Sequence, residues 1–182
     1  NINIHMAFLG NPGTGKTEVA RLIGQILFEA GVLKNTNFVE CSRETLISMY
    51  IGETAIKTKK VIEEAMGGVL FIDEAYSLYQ KGSEKDFGKE AIVELLKAME
   101  DSRGDFCCIM AGYNNEMMGL FEANPGFKSR VQFFINFPDY SFDELSQIGK
   151  IMLNKMDYQM DYVTLKLAIK IAYNKHTLPN FA

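Results

Sequence analysis

The eight residues GNPGTGKT, Gly10 to Thr17, have the types and the spacing that bind phosphate groups. They match the pattern G-x-x-x-x-G-K-[ST], in which backbone N–H groups surround the phosphates, the lysine pairs with the β and γ phosphates, and the threonine hydroxyl helps to hold Mg²⁺. Lys16 and Thr17 take those two roles. The predicted nucleotide-binding residues are Asn11, Pro12, Gly13, Thr14, Gly15, Lys16, Thr17 and Glu18.

A pair of acids, Asp73 and Glu74, follows the apolar residues of VLFIDEA, Val69 to Ala75. An apolar run bounded by glycines is typical of a strand buried on both faces of a parallel sheet, and the carboxyl ends of such strands bind ligands. We expect Asp73 to hold Mg²⁺ through water and Glu74 to orient and deprotonate the attacking water. Unpaired carboxylates are costly to bury, which disfavours a purely structural role.

Two more polar residues have positions that suit phosphoryl transfer. Asn114 follows the fourth predicted strand, where its amide could position water or contact the γ-phosphate. Arg130 precedes the fifth strand and could reach a nucleotide bound by a neighbouring subunit. Spacing alone leaves a turn-forming asparagine and a solvated arginine as alternatives.

The elements that must position these residues alternate strictly between strand and helix. We predict strands at Ile4 to Leu9, Phe38 to Cys41, Val69 to Ala75, Phe106 to Gly112, and Val131 to Phe137. Amphipathic stretches separate them, and this alternation favours a parallel sheet with helices on both faces. MYIGET, Met49 to Thr54, suits an exposed loop, because glycine and charges interrupt its apolar residues.

The character of the sequence changes after the fifth strand. SFDE matches a capping box with Ser141 as the N-cap and Glu144 three residues later, and no strand pattern returns after it. We therefore predict an α/β core over residues 1–138 and a partial α-helical unit over residues 139–182. The first and last residues look like the edges of a longer native protein.

Composition narrows the class of protein. The net charge of −4 and the pI near 5.3 argue against a nucleic-acid surface. Three cysteines in apolar runs favour buried thiols over disulfides or a metal site. No apolar run approaches the roughly 18 residues of a membrane span and no signal peptide is visible, so we expect a cytoplasmic protein.

One motif match is misleading. NKMD, Asn154 to Asp157, has the N-K-x-D spelling with which GTP-binding proteins recognise guanine. There the motif follows a strand of the sheet, whereas here it ends an amphipathic helix beyond the fifth strand. We interpret the match as chance.

Together these motifs resemble the AAA+ ATPases, and more narrowly the group that contains stage V sporulation protein K and the red-type Rubisco activase CbbX. The matching stretches are GNPGTGKT, YIGETAIKTKKVIEEAMGGVLFIDEAYSL, DFGKEAIVELLKAMED, AGYNNEM, NPGFKSRV and FPDYSFDEL. The resemblance implies a P-loop NTPase fold with strand order 5-1-4-3-2, a helical lid, and a hexameric ring with ATP at each subunit interface.

The resemblance also implies roles for individual residues. Tyr50, Ile51 and Gly52 match the pore loop with which such rings grip a polypeptide. Arg130 matches the finger supplied to a neighbouring subunit, and Asn114 matches the sensor. Lys128 stands where relatives often carry arginine, and the lid's sensor arginine is expected just after the last residue. Such a chain is expected to bind nucleotide, but to assemble poorly into a ring and to hydrolyse the nucleotide poorly.

The leading functional hypothesis is an Mg²⁺-dependent ATPase that pulls a client polypeptide through a hexameric pore. A sporulation-type role is favoured by the lysine-, asparagine- and isoleucine-rich composition, with a Rubisco-activase-like role as the alternative. A second hypothesis is a nucleotide-dependent scaffold with little turnover. A P-loop kinase or transferase is disfavoured, because no basic acceptor-binding lid is evident and a glutamate follows the metal aspartate directly.

Overall fold

A computed structural model describes residues 3–50, 52–80, 87–158 and 160–176 of the 182-residue chain. Its centre is a five-stranded parallel sheet with the order β2-β3-β4-β1-β5. This order is the predicted 5-1-4-3-2 counted from the other edge. The strands are β1 (Met6–Gly10), β2 (Phe38–Cys41), β3 (Val69–Ile72), β4 (Cys107–Gly112) and β5 (Phe133–Phe137).

Helices of the same unit cover both faces of this sheet. They are α1 (Lys16–Glu29), α2 (Arg43–Leu46), α3 (Thr54–Ala65), α4 (Gly88–Asp101), α5 (Asn114–Ala123) and α6 (Pro125–Arg130), with a one-turn 3₁₀ helix at Ala75–Leu78. Two further helices, α7 (Phe142–Lys155) and α8 (Tyr162–His176), belong to a separate unit. Each strand residue alternates between two faces. Accordingly Leu70 and Ile72 lie in one buried cluster, while Val69 and Phe71 lie in a second one that also contains Ala20 of α1.

The three central strands are buried as their apolar sequences predict. All residues of β3 and β4 are buried, and the thiols of Cys107 and Cys108 lie in β4. Cys41 ends β2 and is also buried, so the three cysteines are free thiols in the core. Burial raises the pKa of Cys41 and of Cys107 to about 12, which keeps both thiols protonated and unreactive.

Contacts divide the chain after Pro138 into an α/β unit and a helical unit. The helical unit begins as the sequence predicts, with a reciprocal cap at the start of α7. The backbone N–H of Glu144 donates to the Ser141 hydroxyl at 3.3 Å, and the Ser141 N–H donates to the Glu144 carboxylate at 2.8 Å. No helix within the described residues is long and apolar enough to cross a membrane.

Several boundaries differ from the sequence prediction. Strand β1 spans Met6–Gly10 and not Ile4 to Leu9, and β4 begins at Cys107 and not at Phe106. Strand β3 ends at Ile72 and not at Ala75, because Glu74 takes a left-handed conformation that turns the chain out of the sheet. Strand β5 begins at Phe133, and the residues before it form α6, which the sequence analysis did not predict. Pro125 begins α6 at a position where proline's fixed φ and missing N–H are tolerated.

Candidate functional site

The phosphate loop connects the carboxyl end of β1 to the first turn of α1. Gly13 and Gly15 have positive φ angles of 75° and 86°, which L-residues with side chains rarely adopt. Gly15 is the N-cap of α1 and provides no side-chain cap to the helix. The first N–H groups of α1 therefore point out of the helix without a side-chain partner, at the positive end of its dipole, and suit an anion.

Lys16 lies folded back over this loop. Its Nζ donates to the carbonyl of Gly10 at 2.9 Å and to that of Asn11 at 2.7 Å. Desolvation lowers the pKa of Lys16, and the nearby Asp73 carboxylate partly opposes that shift. The lysine is therefore positioned between the loop and the acid pair, where a phosphate would supply its missing counter-charge.

The acid pair follows β3 at the same edge of the sheet. Glu74 has φ 47° and ψ 44°, and its backbone N–H donates to the Asp73 carboxylate at 3.0 Å. This bond holds Asp73 close to the strand end, while the turned backbone exposes Glu74. Because parallel strands end at a common edge, Asp73 and Glu74 face the phosphate loop across β4.

A cavity of about 340 Å³ brings the loop and the acid pair together. Its lining comprises Gly10, Pro12, Gly13, Gly15, Lys16, Thr17, Glu18, Asp73, Glu74, Gly112 and Tyr113. Six of the eight predicted nucleotide-binding residues and both predicted acids are in this set. The cavity has the size of a small-ligand site, and it has the phosphate-binding elements on one side and carboxylates on the other.

Two residues of the loop, Asn11 and Thr14, do not line the cavity. Thr14 is buried, and its hydroxyl donates to the Asn11 carbonyl at 2.8 Å. That bond closes the loop on itself, so the position of Thr14 suits loop geometry more directly than contact with a ligand.

Tyr113 lines the cavity and was not predicted from the sequence. It follows β4 directly, and β4 lies between β1 and β3. Its ring packs against that of Tyr76, with 5.9 Å between centroids. The Tyr76 hydroxyl is hydrogen bonded to the Glu74 carboxylate. Burial is the larger cause, and this carboxylate the next, that raise the pKa of Tyr76 to about 12. The rule that strand ends bind ligands points equally to residues 112–113.

Asn114 is placed one residue beyond the cavity. It is the first residue of α5 and is exposed, whereas Tyr113 before it contributes to the lining. The structure therefore brings Asn114 near the site but not into its wall.

Arg130 lies near the amino ends of the strands, at the opposite end of the sheet from the cavity. Its backbone carbonyl accepts a hydrogen bond from the side chain of Asn3, before the amino end of β1, at 2.6 Å. A strand rises about 3.3 Å per residue, so the five residues of β1 separate the two edges by about 15 Å. Arg130 cannot reach the cavity of its own subunit, because the strand lies between them.

Contacts within the subunit hold the Arg130 side chain. Its guanidinium donates to the Gly126 carbonyl at 3.0 Å and forms an ion pair with Glu100 at 3.2 Å. Within the described residues, its Nε is buried and has no hydrogen-bond partner. Lys128, two residues earlier, is exposed in the last turn of α6.

The predicted pore-loop residues lie apart from the cavity, in the segment between α2 and α3. Tyr50 has 68% of its surface exposed, and Gly52 has a positive φ of 83°. Ile51 lies outside the described residues. An exposed aromatic ring beside a turn suits contact with another molecule better than core packing.

A magnesium site requires oxygen ligands, and the cavity contains them in Thr17 and Asp73. Among the described residues, no group of three or more His, Cys, Asp or Glu side chains could hold a metal ion. A site with one hydroxyl and one carboxylate suits Mg²⁺, which keeps water and takes its remaining ligands from phosphates.

Comparison with protein families matches residues 6–139 to the ATPase family associated with various cellular activities (AAA). Among curated proteins, the Rubisco activase of Cyanidioschyzon merolae chloroplasts is 47% identical over all of this chain and 62% of its own length. Protein CbxX of Cupriavidus necator is 47% identical over 99% of this chain and 57% of its own. Stage V sporulation protein K of Bacillus subtilis is 52% identical over 86% of this chain and 48% of its own.

The chain thus spans roughly half to three fifths of the length of these relatives. Among solved structures, the RuvB Holliday junction branch migration motor of Thermotoga maritima superposes with a TM-score of 0.66 over 91% of this chain and 48% of its own. Its sequence identity of 24% limits that likeness to the fold.

Proposed function

This chain belongs to the AAA family of ATPases, and from that premise we propose that it binds Mg²⁺-ATP in the cavity between its phosphate loop and its acid pair, and hydrolyses it. The observation that carries this proposal is the joint presence of Lys16, Thr17, Asp73 and Glu74 in the lining of one cavity. These four residues supply a cation, a hydroxyl and two carboxylates, the groups that phosphoryl transfer requires.

Binding begins with the backbone. The N–H groups of residues 13–17 receive the phosphates, and Lys16 exchanges its carbonyl partners at Gly10 and Asn11 for phosphate oxygens. Thr17 and Asp73 hold the magnesium ion, which neutralises phosphate charge when it is bound.

Hydrolysis requires a base close to the γ-phosphate. Glu74 is exposed to the cavity and turned away from the sheet, so it orients a water molecule and takes its proton. Asn114 stands next to the cavity wall and serves as a polar sensor when the site closes around nucleotide.

Arg130 completes the site of a second copy of the chain. Its position at the far edge of the sheet, away from its own cavity, supports a role in a neighbour's cavity, for which the guanidinium exchanges its ion pair with Glu100 for phosphate oxygens. Closed assemblies in which each copy offers one surface to the next are rings, and we propose the hexamer of the family.

The substrate of the motor is a polypeptide. Tyr50 stands on an exposed turn with Gly52, and with Ile51 it forms the loop that grips the client in the pore of the ring. We propose a sporulation-type client, since the composition is rich in lysine, asparagine and isoleucine. Identities of 52% over 157 residues with the sporulation relative and 47% over 182 residues with the Rubisco activase do not separate the two roles. A Rubisco-activase-like remodeller is the alternative.

A scaffold with little turnover is favoured by one observation, namely that no arginine of the described residues lines the cavity of its own subunit. Such a protein would bind ATP, assemble upon binding and release phosphate slowly. Its function would not depend on Tyr50, so substitution of Tyr50 by alanine separates it from a remodeller.

The decisive experiment compares Glu74→Gln and Glu74→Asp with the wild type in phosphate release and in nucleotide binding. The amide cannot accept a proton, so we expect kcat to fall by roughly 10² to 10⁴ with unchanged affinity. Glu74→Asp retains a carboxylate on a shorter stem and should keep part of the activity. Undiminished turnover in Glu74→Gln would remove Glu74 as the base.

A further inference from the structure

The turn that carries Glu74 is held in an unfavourable conformation. Residues other than glycine rarely adopt the left-handed region. The φ of 47° at Glu74 is one of two positive φ angles among the described non-glycine residues. Conformations of this kind persist only where the surrounding structure over-determines them. The 3₁₀ helix that follows Glu74 directly, Ala75–Leu78, supplies such contacts on two sides.

The core side of that helix is fixed by burial. Ala75 and Leu78 are completely buried, and the Ser77 N–H donates to the Glu74 carbonyl at 2.8 Å. The Tyr76 ring packs so closely on β4 that a Cβ atom added at Gly112 would lie 2.7 Å from it. The helix therefore has little freedom to shift towards the sheet.

The outer side is held by a residue of a different element. The guanidinium of Arg43 donates to the Ser77 carbonyl at 2.5 Å, across a separation of 34 residues. This bond is partly buried, and a charged donor makes it stronger than one between neutral groups. Arg43 is the first residue of α2, a single-turn helix.

Helix α2 leads directly to the loop that carries Tyr50. Its end is tied to α3 by the side chain of Lys57, which donates to the carbonyls of Glu44 at 2.6 Å and Ile47 at 2.9 Å. The hydroxyl of Thr58 donates to the Leu46 carbonyl at 3.0 Å. The base of this loop and the Glu74 turn are thus joined through one short, well-bonded helix.

We propose that Arg43 is a positioning residue that holds the Glu74 turn from the α2 side and thereby couples the placement of the catalytic base to the Tyr50 loop. This inference rests on the proposed roles of Glu74 and Tyr50. A displacement of the loop by a bound polypeptide would pull on Ser77 through Arg43, and nucleotide in the cavity would shift α2 by the same route.

The first test measures catalysis. Arg43→Met keeps the aliphatic stem and removes the donors, whereas Arg43→Lys retains one cationic donor. We expect kcat to fall about tenfold in Arg43→Met, with the Kd for a fluorescent ATP analogue within twofold of the wild type and partial recovery in Arg43→Lys. Equal losses in kcat and affinity, or an unchanged kcat, would contradict the positioning role.

The second test measures the coupling and does not require turnover. Amide hydrogen exchange is followed in peptides covering residues 44–50 and 10–17, with and without ATPγS, in the full chain. We expect nucleotide to change exchange in both segments of the wild type, and only in residues 10–17 of Arg43→Met. A wild-type loop that ignores nucleotide, or a variant loop that still responds, would overturn the proposal.

Arg21→Met is the matched control. Arg21 bonds to Glu40 of β2 at 2.7 Å on an exposed surface, so its loss removes an arginine contact close to α2 but not the bond to Ser77. It should exchange like the wild type in both segments. Failure of the proposed function is read separately, from undiminished turnover in Glu74→Gln, because the exchange measurement does not depend on which residue is the base.

Discussion

The central sheet has a carboxyl edge, where its strands end, and an amino edge, where they begin, and the two are built by different means. At the carboxyl edge, backbone conformation forms the site, through the left-handed Gly13 and Gly15, the uncapped start of α1 and the left-handed Glu74. At the amino edge, side chains form it, through the ion pair of Arg130 with Glu100. A backbone cradle can bind nucleotide within one subunit, whereas we propose that an arginine held at the far edge acts on another copy.

Buried polar contacts connect the amino edge to the core. His5 is completely buried, and its Nδ1 accepts from the Cys108 N–H at 3.0 Å. The Cys108 bond leaves the proton on Nε2, which lies 3.3 Å from the Met99 carbonyl. The neutral ring thus bonds to backbone groups of β4 and of the end of α4, the helix that carries Glu100.

The strongest test of this difference is Arg130→Ala. We expect kcat to fall by about 10³ or more while the affinity for ATP stays within twofold, because an arginine supplied by a neighbour stabilises the transition state and not the bound substrate. Steady-state turnover and nucleotide titration give the two numbers. Arg103→Ala is the control, since Arg103 also binds Glu100 but lies outside the proposed site. A parallel loss of affinity would mean that Arg130 contacts bound ATP in the ground state and not only in the transition state.

The converse change at the carboxyl edge is Lys16→Ala. It should weaken ATP binding by about 10- to 100-fold, the value of one charge-assisted bond to phosphate. Isothermal titration measures the change, and Lys34→Ala, which removes a surface lysine paired with Asp105, should leave the affinity unchanged. Retained affinity in Lys16→Ala would show that the cradle binds without its cation.

These two residues also differ in how far sequence could place them. Lys16 belongs to eight contiguous residues whose conformation is local, so its position followed from the motif and the flanking strand and helix. Arg130 was predicted beside the fifth strand, but its helix α6 and its bond to Glu100 depend on contacts between residues 30 positions apart. Periodicity carries no signal for such contacts.

The end of β3 illustrates the same limit. The apolar run predicted a strand through Ala75, and the strand stops at Ile72 because Glu74 turns left-handed. Propensity disfavours that conformation for glutamate, so only tertiary contacts such as those of Ala75 and Leu78 could impose it. Tyr113 likewise lines the cavity because β4 lies beside β1 in the sheet, which is a tertiary arrangement.

The pH dependence of stability tests the amino edge alone. Burial lowers the pKa of His5 from 6.5 to about 4. Between these two pH values the ring is protonated in the unfolded chain and neutral in the folded chain. The free energy of unfolding therefore falls as the pH drops from about 6.5 towards about 4. Between pH 7 and pH 5 the loss from His5 is about 2 kcal/mol.

Urea unfolding of the wild type and of His5→Gln at the two pH values isolates this contribution, since the variant lacks the titrating group. An NMR titration of the wild-type ring serves if the variant does not fold. A ring pKa near 6.5, or an identical pH dependence in both proteins, would contradict the buried neutral histidine.

The smallest effect is expected from Asn3→Ala. The Asn3 side chain donates to the Arg130 carbonyl at 2.6 Å and accepts from the His5 N–H at 3.1 Å, and its loss should lower the free energy of unfolding by about 1 kcal/mol. Affinity for ATP should not change. Weakened binding in Asn3→Ala would mean that the two edges are not independent.

The central claim is that each complete catalytic site takes its cradle from one copy and its arginine from another. Mixing Lys16→Ala with Arg130→Ala tests it directly at an ATP concentration below the wild-type Kd, where the weaker binding of Lys16→Ala and the lower kcat of Arg130→Ala each leave little turnover. Random 1:1 assembly pairs an intact cradle with an intact arginine at about a quarter of the interfaces, so we expect about a quarter of wild-type ATP turnover. Absence of any recovery in assemblies shown to contain both variants would contradict the shared site.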